Sequence, residues 1–359
     1  MTSNHTTGPT TPNRLLDVLV IGGGAAGLSA ALTLARARRD VVVVDAGEPR
    51  NAPAEGVHGF LTRDGIAPRE LTRLGRAEVE SYGGEVRPGV ATSARALPVG
   101  GAARFAVTVT APDGRVDELT ARRLVVATGL TDELPPIPGL AERWGRDVVH
   151  CPYCHGWEVR DLAIGVLATG SFAVHQALMF RQLSDRITLF QHTAPELTDD
   201  QWEQLAARGI AVVTGPVNAL RVQDDRLTGV TLVSGRTVPV DALAVGAPAR
   251  SNAEVLDALG IAAEAHPAGF GTAVPNDPLT GATAVPGVWV AGNVGDLRMQ
   301  VVTAAASGLG VAAAVNADLI AEETAAAVAA RRQPFSARAE AENTVTVLGD
   351  RRHGFEGAR

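Results

Sequence analysis

The chain has 359 residues and a formal net charge of -7, and all 32 of its basic residues are arginine because the sequence contains no lysine. This absence excludes ATPases that bind phosphate through a Walker-type loop and enzymes that form a Schiff base, since both need a lysine amine. The acidic balance also argues against a broad nucleic-acid-binding surface, which requires clustered basic residues.

At about 150 residues per domain, the length predicts roughly two domains. Two cysteines are too few for the disulfide framework of a secreted protein. Residues 1–14 are polar and lack the apolar core of a secretory signal, so we expect a disordered lead-in there and a cytoplasmic protein. The apolar segment 301–314 is shorter than the roughly 20 residues of a membrane span, so we expect a soluble helix and no membrane partner.

The first elements along the chain form one βαβ unit, with a strand over residues 15–21, a helix over 28–37 and a buried strand over 41–44. The turn between the first strand and the helix, residues 22–27, has the pattern G-x-G-x-x-G. Asp45 ends the next strand, where an acidic side chain accepts hydrogen bonds from a ribose. An ordinary glycine-rich turn is the alternative, but the complete unit favours a dinucleotide site.

Each glycine of this turn has its own physical role. Gly22 permits the tight turn, and Gly24 lets backbone N–H groups approach a pyrophosphate at the helix N-terminus. Gly27 allows the helix to pack closely on the sheet. FAD and NAD share this pattern, so the turn alone does not decide between them.

The later elements repeat this pattern of strand, glycine, helix and strand. Helices are predicted over residues 68–82, 172–183, 202–208 and 300–321, and strands over 105–110, 123–127, 162–167, 187–190, 211–213, 227–233, 242–245 and 288–290. The proline-rich residues 134–139 predict a domain junction, and the chain becomes charged and weakly patterned from residue 325.

Both cysteines lie in one motif, His150-Cys-Pro-Tyr-Cys-His-Gly156. Thiols at this spacing can close and reopen a small disulfide ring, and a nearby positive charge or helix N-terminus can produce the reactive thiolate. A zinc site is one alternative, but four ligands within six residues give poor geometry, and inert thiols are another. We predict a redox-active Cys151–Cys154 disulfide and no metal.

Several segments together resemble one family. They are V-V-A-T-G at residues 125–129, L-P-P-I-P-G-L at 134–140, V-W-V-A-G-N-V at 288–294, D-A-G-E-P-R-N at 45–51 and H-G-F-L at 58–61. In this order they resemble the low-molecular-weight thioredoxin reductase branch of the flavoprotein disulfide reductases, from residue 15 to about 321. The resemblance implies an α/β fold with two Rossmann-like, three-layer ββα dinucleotide-binding domains, FAD as the cofactor and a homodimer.

The resemblance also implies domain limits and cofactor contacts. The FAD domain comprises residues 15–132 and 256–324, the central NADPH-like domain with the cysteines comprises 133–255, and residues 325–359 form an extension. The implied FAD contacts are Gly22, Gly24, Ala25, Ala26, Gly27, Asp45, Asn51, His58, Ala127, Gly292, Asn293, Gln300 and Val301. Asn293 and Met299 stand where relatives usually carry Asp and Arg, and an asparagine can still hydrogen-bond a ribityl hydroxyl.

The full motif H-C-x-x-C-H-G is similar to a subgroup of FAD-dependent dithiol oxidases, which close the disulfide of small natural products such as holomycin, gliotoxin and romidepsin. By this resemblance Cys154 faces the flavin and Cys151 exchanges with the substrate. Thioredoxin reductases carry a proton-donating Asp directly after the second cysteine. His155 occupies that position here and suits a base that deprotonates a substrate thiol, while His150 is either catalytic or structural.

The second βαβ unit departs from the family at its nucleotide turn. Ala168 replaces the first glycine, and residues 191–193 read Q-H-T where relatives show H-R-R for the NADPH 2′-phosphate. We therefore predict that NADPH binding is lost. The leading hypothesis is oxidation of a small-molecule dithiol by FAD, with O2 as the final electron acceptor and H2O2 as product, in natural-product biosynthesis. The alternatives are an NAD(P)H-dependent thioredoxin or disulfide reductase and a flavin-bearing redox sensor.

Overall fold

The computed structural model describes residues 14–98, 104–267, 269–332 and 336–348. The lead-in predicted for residues 1–14 lies outside this part of the chain except for Arg14, whose guanidinium pairs with Asp40. Two compact units are distinguished, Met1–Ala312 and Ala313–Arg359.

Strands and helices alternate along the described residues, and the last two elements are helices. The strands are β1 (Leu15–Ile21), β2 (Val41–Asp45), β3 (Glu85–Pro88), β4 (Val90–Ala96), β5 (Phe105–Thr110), β6 (Val116–Val126), β7 (Leu130–Asp132), β8 (Val148–Val149), β9 (Ile164–Leu167), β10 (Ile187–Phe190), β11 (Ala211–Val213), β12 (Val217–Gln223), β13 (Arg226–Leu232), β14 (Thr237–Val238), β15 (Ala242–Val245), β16 (Ala249–Ser251), β17 (Glu264–Ala265), β18 (Gly271–Ala273) and β19 (Val288–Val290). The α-helices are α1 (Ala25–Arg36), α2 (Pro68–Ser81), α3 (Pro152–His155), α4 (Ala173–Phe180), α5 (Asp199–Ala207), α6 (Val301–Arg331) and α7 (Ala337–Leu348).

The first sheet has the strand order β3-β2-β1-β6-β5-β4, and β19 also pairs with β6. Its parallel core, β2-β1-β6-β19, pairs Val20 with both Val43 and Val125. The four valines of β2 are 0 to 1% exposed, as a strand covered on both faces of a parallel sheet requires. The predicted βαβ unit is therefore present, and its first strand, β1, lies between β2 and β6 in the sheet.

The second sheet is parallel throughout and has the order β11-β10-β9-β15-β8. Strand β9, helix α4 and strand β10 form the second predicted βαβ unit, packed around Phe180 and Leu189. The central strand β9 lies between β10 and β15, so the chain order reverses there. Ligands of doubly wound sheets bind at such a reversal, beyond the carboxyl ends of the strands.

Two smaller sheets complete the first unit. Strands β12 and β13 form a hairpin that β14 extends, and β17-β18-β16-β7 form the other sheet. Strand β4 was not predicted because its sequence, V-A-T-S-A-R-A, contains few large apolar residues. It pairs with β5 in an antiparallel register nonetheless, since neighbouring strands supply the backbone partners.

The helix α6 is longer than predicted, because it continues to Arg331 instead of ending near residue 321. The added residues are rich in alanine and contain no glycine or proline, so helix propensity favours the extension. A further helix, α7, lies in the segment predicted to be weakly patterned.

The length of α6 is also relevant to whether this helix could span a membrane. An 18-residue window of α6 has a mean hydropathy of 1.5, and 33% of it is buried, so by length and composition the helix is able to cross a membrane. The apolar helix extends well beyond residues 301–314, so its length does not exclude a span. A core helix of a soluble protein passes the same test, so this is weak evidence for a span.

Candidate active site

A cavity of about 1520 Å³ lies at the carboxyl ends of the parallel strands of both large sheets within the first unit. The glycine turn after β1, the cysteine motif and the turn after β9 all line it. Every predicted FAD contact except Gly27 contributes to its wall. The structure therefore brings together residues that lie almost 280 positions apart in the chain.

The first glycine turn has the geometry expected of a dinucleotide site. Gly22 has a φ of +103°, and a Cβ there would lie 2.4 Å from the carbonyl oxygen of Ala127. A Cβ on Gly27 would lie 1.8 Å from the carbonyl oxygen of Gly22, so Gly27 serves helix packing. A Cβ on Gly24 would meet nothing within 4 Å, which leaves clear space at the start of α1.

The carboxylate of Asp45 borders the same space. Its Oδ1 accepts a hydrogen bond of 3.0 Å from the backbone N–H of Gly23, and Arg76 forms an ion pair with its Oδ2. Arg76 was not predicted, because it comes from α2 and no motif links it to Asp45. The guanidinium holds the carboxylate beside the turn.

The second cofactor segment follows β19. Gly292 has a φ of +73°, and the side-chain amide of Asn293 donates to the carbonyl oxygens of Asp296 and Met299, at 3.0 Å each. The Oδ1 of Asn293 is left as the acceptor for a hydroxyl. Helix α6 begins at Val301, so the backbone N–H of that residue has no partner inside the helix.

These features fit FAD. The uncapped start of α1 suits a pyrophosphate, since its first N–H groups lack helical partners and carry partial positive charge. Asp45 suits a ribose, and Asn293 together with the start of α6 suits the ribityl chain and the flavin edge.

The cysteine motif follows β8, the edge strand of the second sheet. Cys151 precedes the short helix α3, and Pro152 occupies the first helical position, which its fixed φ favours. A Cβ on Gly156 would lie 2.3 Å from both Leu183 Cδ1 and Pro152 O, so the last glycine of the motif permits close packing. Both thiols are reduced and partly buried.

The two thiols differ in acidity. The Cys154 thiol donates a hydrogen bond to the Cys151 sulfur, and this bond, helped by the amides of Tyr153 and Cys154, lowers the pKa of Cys151 to about 7. The same bond and burial raise the pKa of Cys154 well above its ordinary value. The reduced pair therefore carries its negative charge on Cys151.

Arg50 is a second residue that the sequence patterns did not indicate. Its positive charge lowers the pKa of both cysteines. A bidentate ion pair with Asp132, at 2.6 and 2.8 Å, holds the guanidinium in place. The sequence signal that could have identified Arg50 is its position directly before Asn51, within residues 45–51, which resemble the family.

Two histidines flank the cysteines in different surroundings. The Nδ1 of His150 lies 2.9 Å from the carbonyl oxygen of Val245, so Nδ1 carries a proton and donates it to that oxygen. Both ring nitrogens of His155 are buried without a partner among the described residues. Burial also lowers the pKa of His155, so its ring is neutral at neutral pH.

His58 extends this cluster across the cavity. Its Nδ1 lies 3.4 Å from Asp64 and its Nε2 lies 3.4 Å from Glu158. Glu158 also acts on the pKa of His155, in the direction that opposes burial. Within the described ranges, no group of three or more His, Cys, Asp or Glu side chains is arranged to hold a metal ion.

The second turn follows β9 and differs from the first. The hydroxyl of Thr169 donates to the carbonyl oxygen of Gly246 at 2.6 Å, which joins the ends of β9 and β15. The Phe172 ring makes an edge contact with Phe270, with centroids 5.4 Å apart, and also contacts His175 at 4.9 Å. Aromatic rings therefore occupy one side of this turn.

Three polar side chains of the second βαβ unit are hydrogen-bonded within the protein. The Nδ1 of His192 accepts from the backbone N–H of Val217 at 3.0 Å. Arg181 and Arg186 donate to backbone carbonyl oxygens of Arg208 and Asp161, at 2.8 and 2.5 Å. Both guanidinium groups thus have structural partners where they stand.

Comparison with known proteins identifies relatives over most of the chain. The protein-family model described as pyridine nucleotide-disulphide oxidoreductase matches residues 16–308. Thioredoxin reductase tcpT of Claviceps purpurea (strain 20.1) is 32% identical over 307 residues, which cover 82% of this chain and 92% of that protein. Thioredoxin reductase sirT of Leptosphaeria maculans is 30% identical over 326 residues, which cover 87% and 97%.

Solved structures agree with this result. The crystal structure of HlmI matches with a TM-score of 0.82 and 46% identity, covering 92% of this chain and 100% of HlmI. An oxidoreductase from Agrobacterium tumefaciens matches with a TM-score of 0.77 and 37% identity, covering 86% and 99%. The predicted fold class, with two Rossmann-like domains as in thioredoxin reductases, is confirmed.

Proposed function

The chain belongs to the pyridine nucleotide-disulphide oxidoreductase family, and from this premise we propose that it oxidises a small-molecule dithiol to an intramolecular disulfide. Its thioredoxin reductase-like relatives are FAD-binding flavoproteins, and FAD is its cofactor. When bound, FAD supplies a two-electron sink that passes its electrons to O2. The overall reaction is then dithiol plus O2 giving cyclic disulfide plus H2O2.

The main support for this proposal is the altered sequence of the turn after β9, residues 168–173. Ala168 replaces the first glycine of the pattern, the position at which Gly22 permits the tight turn in the first unit, and Phe172 and Phe270 flank the altered turn. Arg181 follows α4 and Arg186 precedes β10, so both lie at the end of the second sheet opposite to this turn, and their guanidinium groups donate to backbone carbonyls. A protein that does not bind a nicotinamide nucleotide must receive electrons through its cysteines, and both cysteines line the cavity.

The cysteine chemistry follows from the two different pKa values. In the oxidised enzyme, a substrate thiolate attacks the Cys151 sulfur and releases Cys154. The second substrate thiolate then attacks the substrate sulfur of this mixed disulfide, closes the product ring and releases Cys151. A thiol whose pKa lies near 7 is a good leaving group, which suits Cys151 to this exchange.

The histidines serve proton transfer in this proposal. His155 is neutral because burial lowers its pKa, so it can take the proton of a substrate thiol. Both of its nitrogens are buried, so the ring must turn toward the cavity to do so. His150 has its Nδ1 proton committed to Val245, and Nε2 offers a second acceptor beside Cys151.

We place the reaction in the biosynthesis of sulfur-containing natural products, because the H-C-x-x-C-H-G motif resembles that of the dithiol oxidases.

One observation favours a second function. The relatives tcpT and sirT are named thioredoxin reductases, which supports an NAD(P)H-dependent disulfide reductase.

An anaerobic experiment separates the two functions. The purified yellow protein is mixed with NADPH, NADH or a small dithiol, and the flavin absorbance is followed. We expect the dithiol alone to bleach the flavin, and oxygen to restore the colour with one H2O2 per dithiol consumed. Bleaching by either nucleotide and not by dithiol would instead establish the reductase, and no bleaching by any of them would favour a redox sensor.

We also infer a homodimer, as the family resemblance implies. Val302 and Leu309 are 37% and 56% exposed, and their spacing of seven residues places them on one face of α6. Light scattering should give twice the chain mass of 37.1 kDa, and Leu309→Glu should reduce this mass to that of one chain. A single-chain mass for the unaltered protein would refute the inference.

A further inference from the structure

Gln176 is a buried polar residue of α4 that no sequence motif identified. It is only 2% exposed, and its Nε2 donates to the carbonyl oxygen of His150 at 2.8 Å. Since a carbonyl oxygen only accepts, the amide orientation is determined and Oε1 points away from that bond. Oε1 has no hydrogen-bond partner among the described residues.

Oε1 borders a small gap at Gly246. A Cβ built on Gly246 would find Oε1 at 3.5 Å and no other heavy atom within 4 Å beyond its chain neighbours. Both Gln176 and Gly246 line the main cavity. The carbonyl of Gly246 is itself occupied by Thr169, so Oε1 is the unpaired acceptor at this gap.

Gln176 links the gap to the backbone that carries the exchanging cysteine. The carbonyl that Gln176 holds belongs to His150, so it is part of the peptide that joins His150 to Cys151. A substrate sulfur bonded to Cys151 would bring its neighbouring atoms toward this part of the wall. The gap also lies beside the turn after β9, where Ala168 and the Phe172 ring argue against a nucleotide.

We propose that this gap is a substrate subsite, in which Gln176 Oε1 accepts a hydrogen bond from an uncharged O–H or N–H group carried near the thiols of the substrate. The inference rests on the proposed function, since it concerns the dithiol that the enzyme oxidises. A buried acceptor left unpaired is costly, so a substrate that supplies the donor is favoured over an analogue that lacks it. The substrate class is therefore a dithiol that carries a hydroxyl or amide.

The test compares two dithiols that differ only in such donors. Dithiothreitol carries two hydroxyl groups, and 1,4-butanedithiol has the same chain without them. The rate of anaerobic flavin bleaching per dithiol concentration is measured for each, and the ratio of the two rates is taken. Gln176→Met is expected to lower this ratio roughly tenfold, because it removes the acceptor while keeping the side-chain length.

The ratio separates recognition from a structural effect. Loss of the bond to the His150 carbonyl would slow both dithiols equally and leave the ratio unchanged. Gly246→Ala provides a second variant, because its methyl group fills the gap at an ordinary contact distance from Oε1 and should also lower the ratio. Gln204→Met, at an exposed glutamine of α5, is the matched control and should keep the wild-type ratio.

Binding without turnover gives an independent readout. The oxidised form of dithiothreitol should bind more tightly than 1,2-dithiane to the unaltered protein, and Gln176→Met should abolish the difference. An unchanged ratio in Gln176→Met, or in Gly246→Ala if the first variant does not fold, overturns the subsite and leaves the dithiol oxidase standing. Failure of both dithiols to bleach the unaltered enzyme overturns the proposed function itself.

Discussion

Replacing Cys154 by serine is expected to reduce dithiol-driven flavin bleaching by more than about a thousandfold while FAD stays bound. The variant cannot form the enzyme disulfide, and by our assignment it also loses the sulfur that faces the flavin. Serine preserves the size of the side chain, and neither cysteine belongs to the glycine turn that fits the pyrophosphate. The measurements are stopped-flow absorbance for bleaching and the visible spectrum for flavin content.

The variants Cys154→Ser and Cys151→Ser together test the different roles of the two sulfurs. Both should stop turnover, but only Cys154→Ser should accumulate a stable mixed disulfide when treated with a small symmetrical disulfide. Its Cys151 thiolate displaces one thiolate of the reagent, and no second enzyme thiol is left to release the adduct. Mass spectrometry of the intact protein detects that adduct. An adduct on Cys151→Ser and none on Cys154→Ser would show that the assignment is reversed, and continued turnover of Cys154→Ser would show that Cys154 does not reduce the flavin.

The reactivity of reduced Cys151 should depend on pH with a midpoint near 7. The hydrogen bond from Cys154 lowers the pKa of Cys151 from 9.0 to about 7, so the thiolate is present above that pH and disappears as pH falls through it. Alkylation by iodoacetamide should therefore reach a plateau above pH 8. At pH 5 the rate should be roughly a hundredfold below that plateau, since the thiolate fraction falls tenfold per pH unit.

Cys154→Ala is the matched variant for this pH profile. It removes the donor that contributes most to the low pKa, so the midpoint should move upward toward that of an ordinary thiol. Peptide mapping identifies the alkylated cysteine. A midpoint at pH 8.5 or above in the unaltered protein would contradict the thiolate assignment.

The fold could be predicted where the sequence pattern and the tertiary environment agree. Val41–Asp45 is a run of valines, and a strand buried on both faces needs that pattern and little else. Strand β8 is different, because Val148–Val149 is too short to carry a pattern. It exists because β15 supplies backbone partners for Val148 and Val149, and this strand places the cysteine motif at the cavity.

The site shows the same division. The glycine turn and the C-x-x-C motif are local patterns, so consecutive residues are enough to identify them. Arg50, Arg76 and Gln176 act on the site from other elements, and no spacing rule links them to it. Their roles depend on distances that only the folded chain sets.

By itself, the sequence determined the chemistry available to this protein. It supplies one pair of thiols, a dinucleotide turn at residues 22–27 and an altered second turn at Ala168, because each of these is encoded within a few consecutive residues. The tertiary structure decided how that chemistry is distributed. Which thiol carries the charge, and that Gln176 bonds the His150 carbonyl while its Oε1 stays unpaired, follow from burial and from hydrogen bonds between distant segments. These interactions do not exist until both sheets have assembled around one cavity.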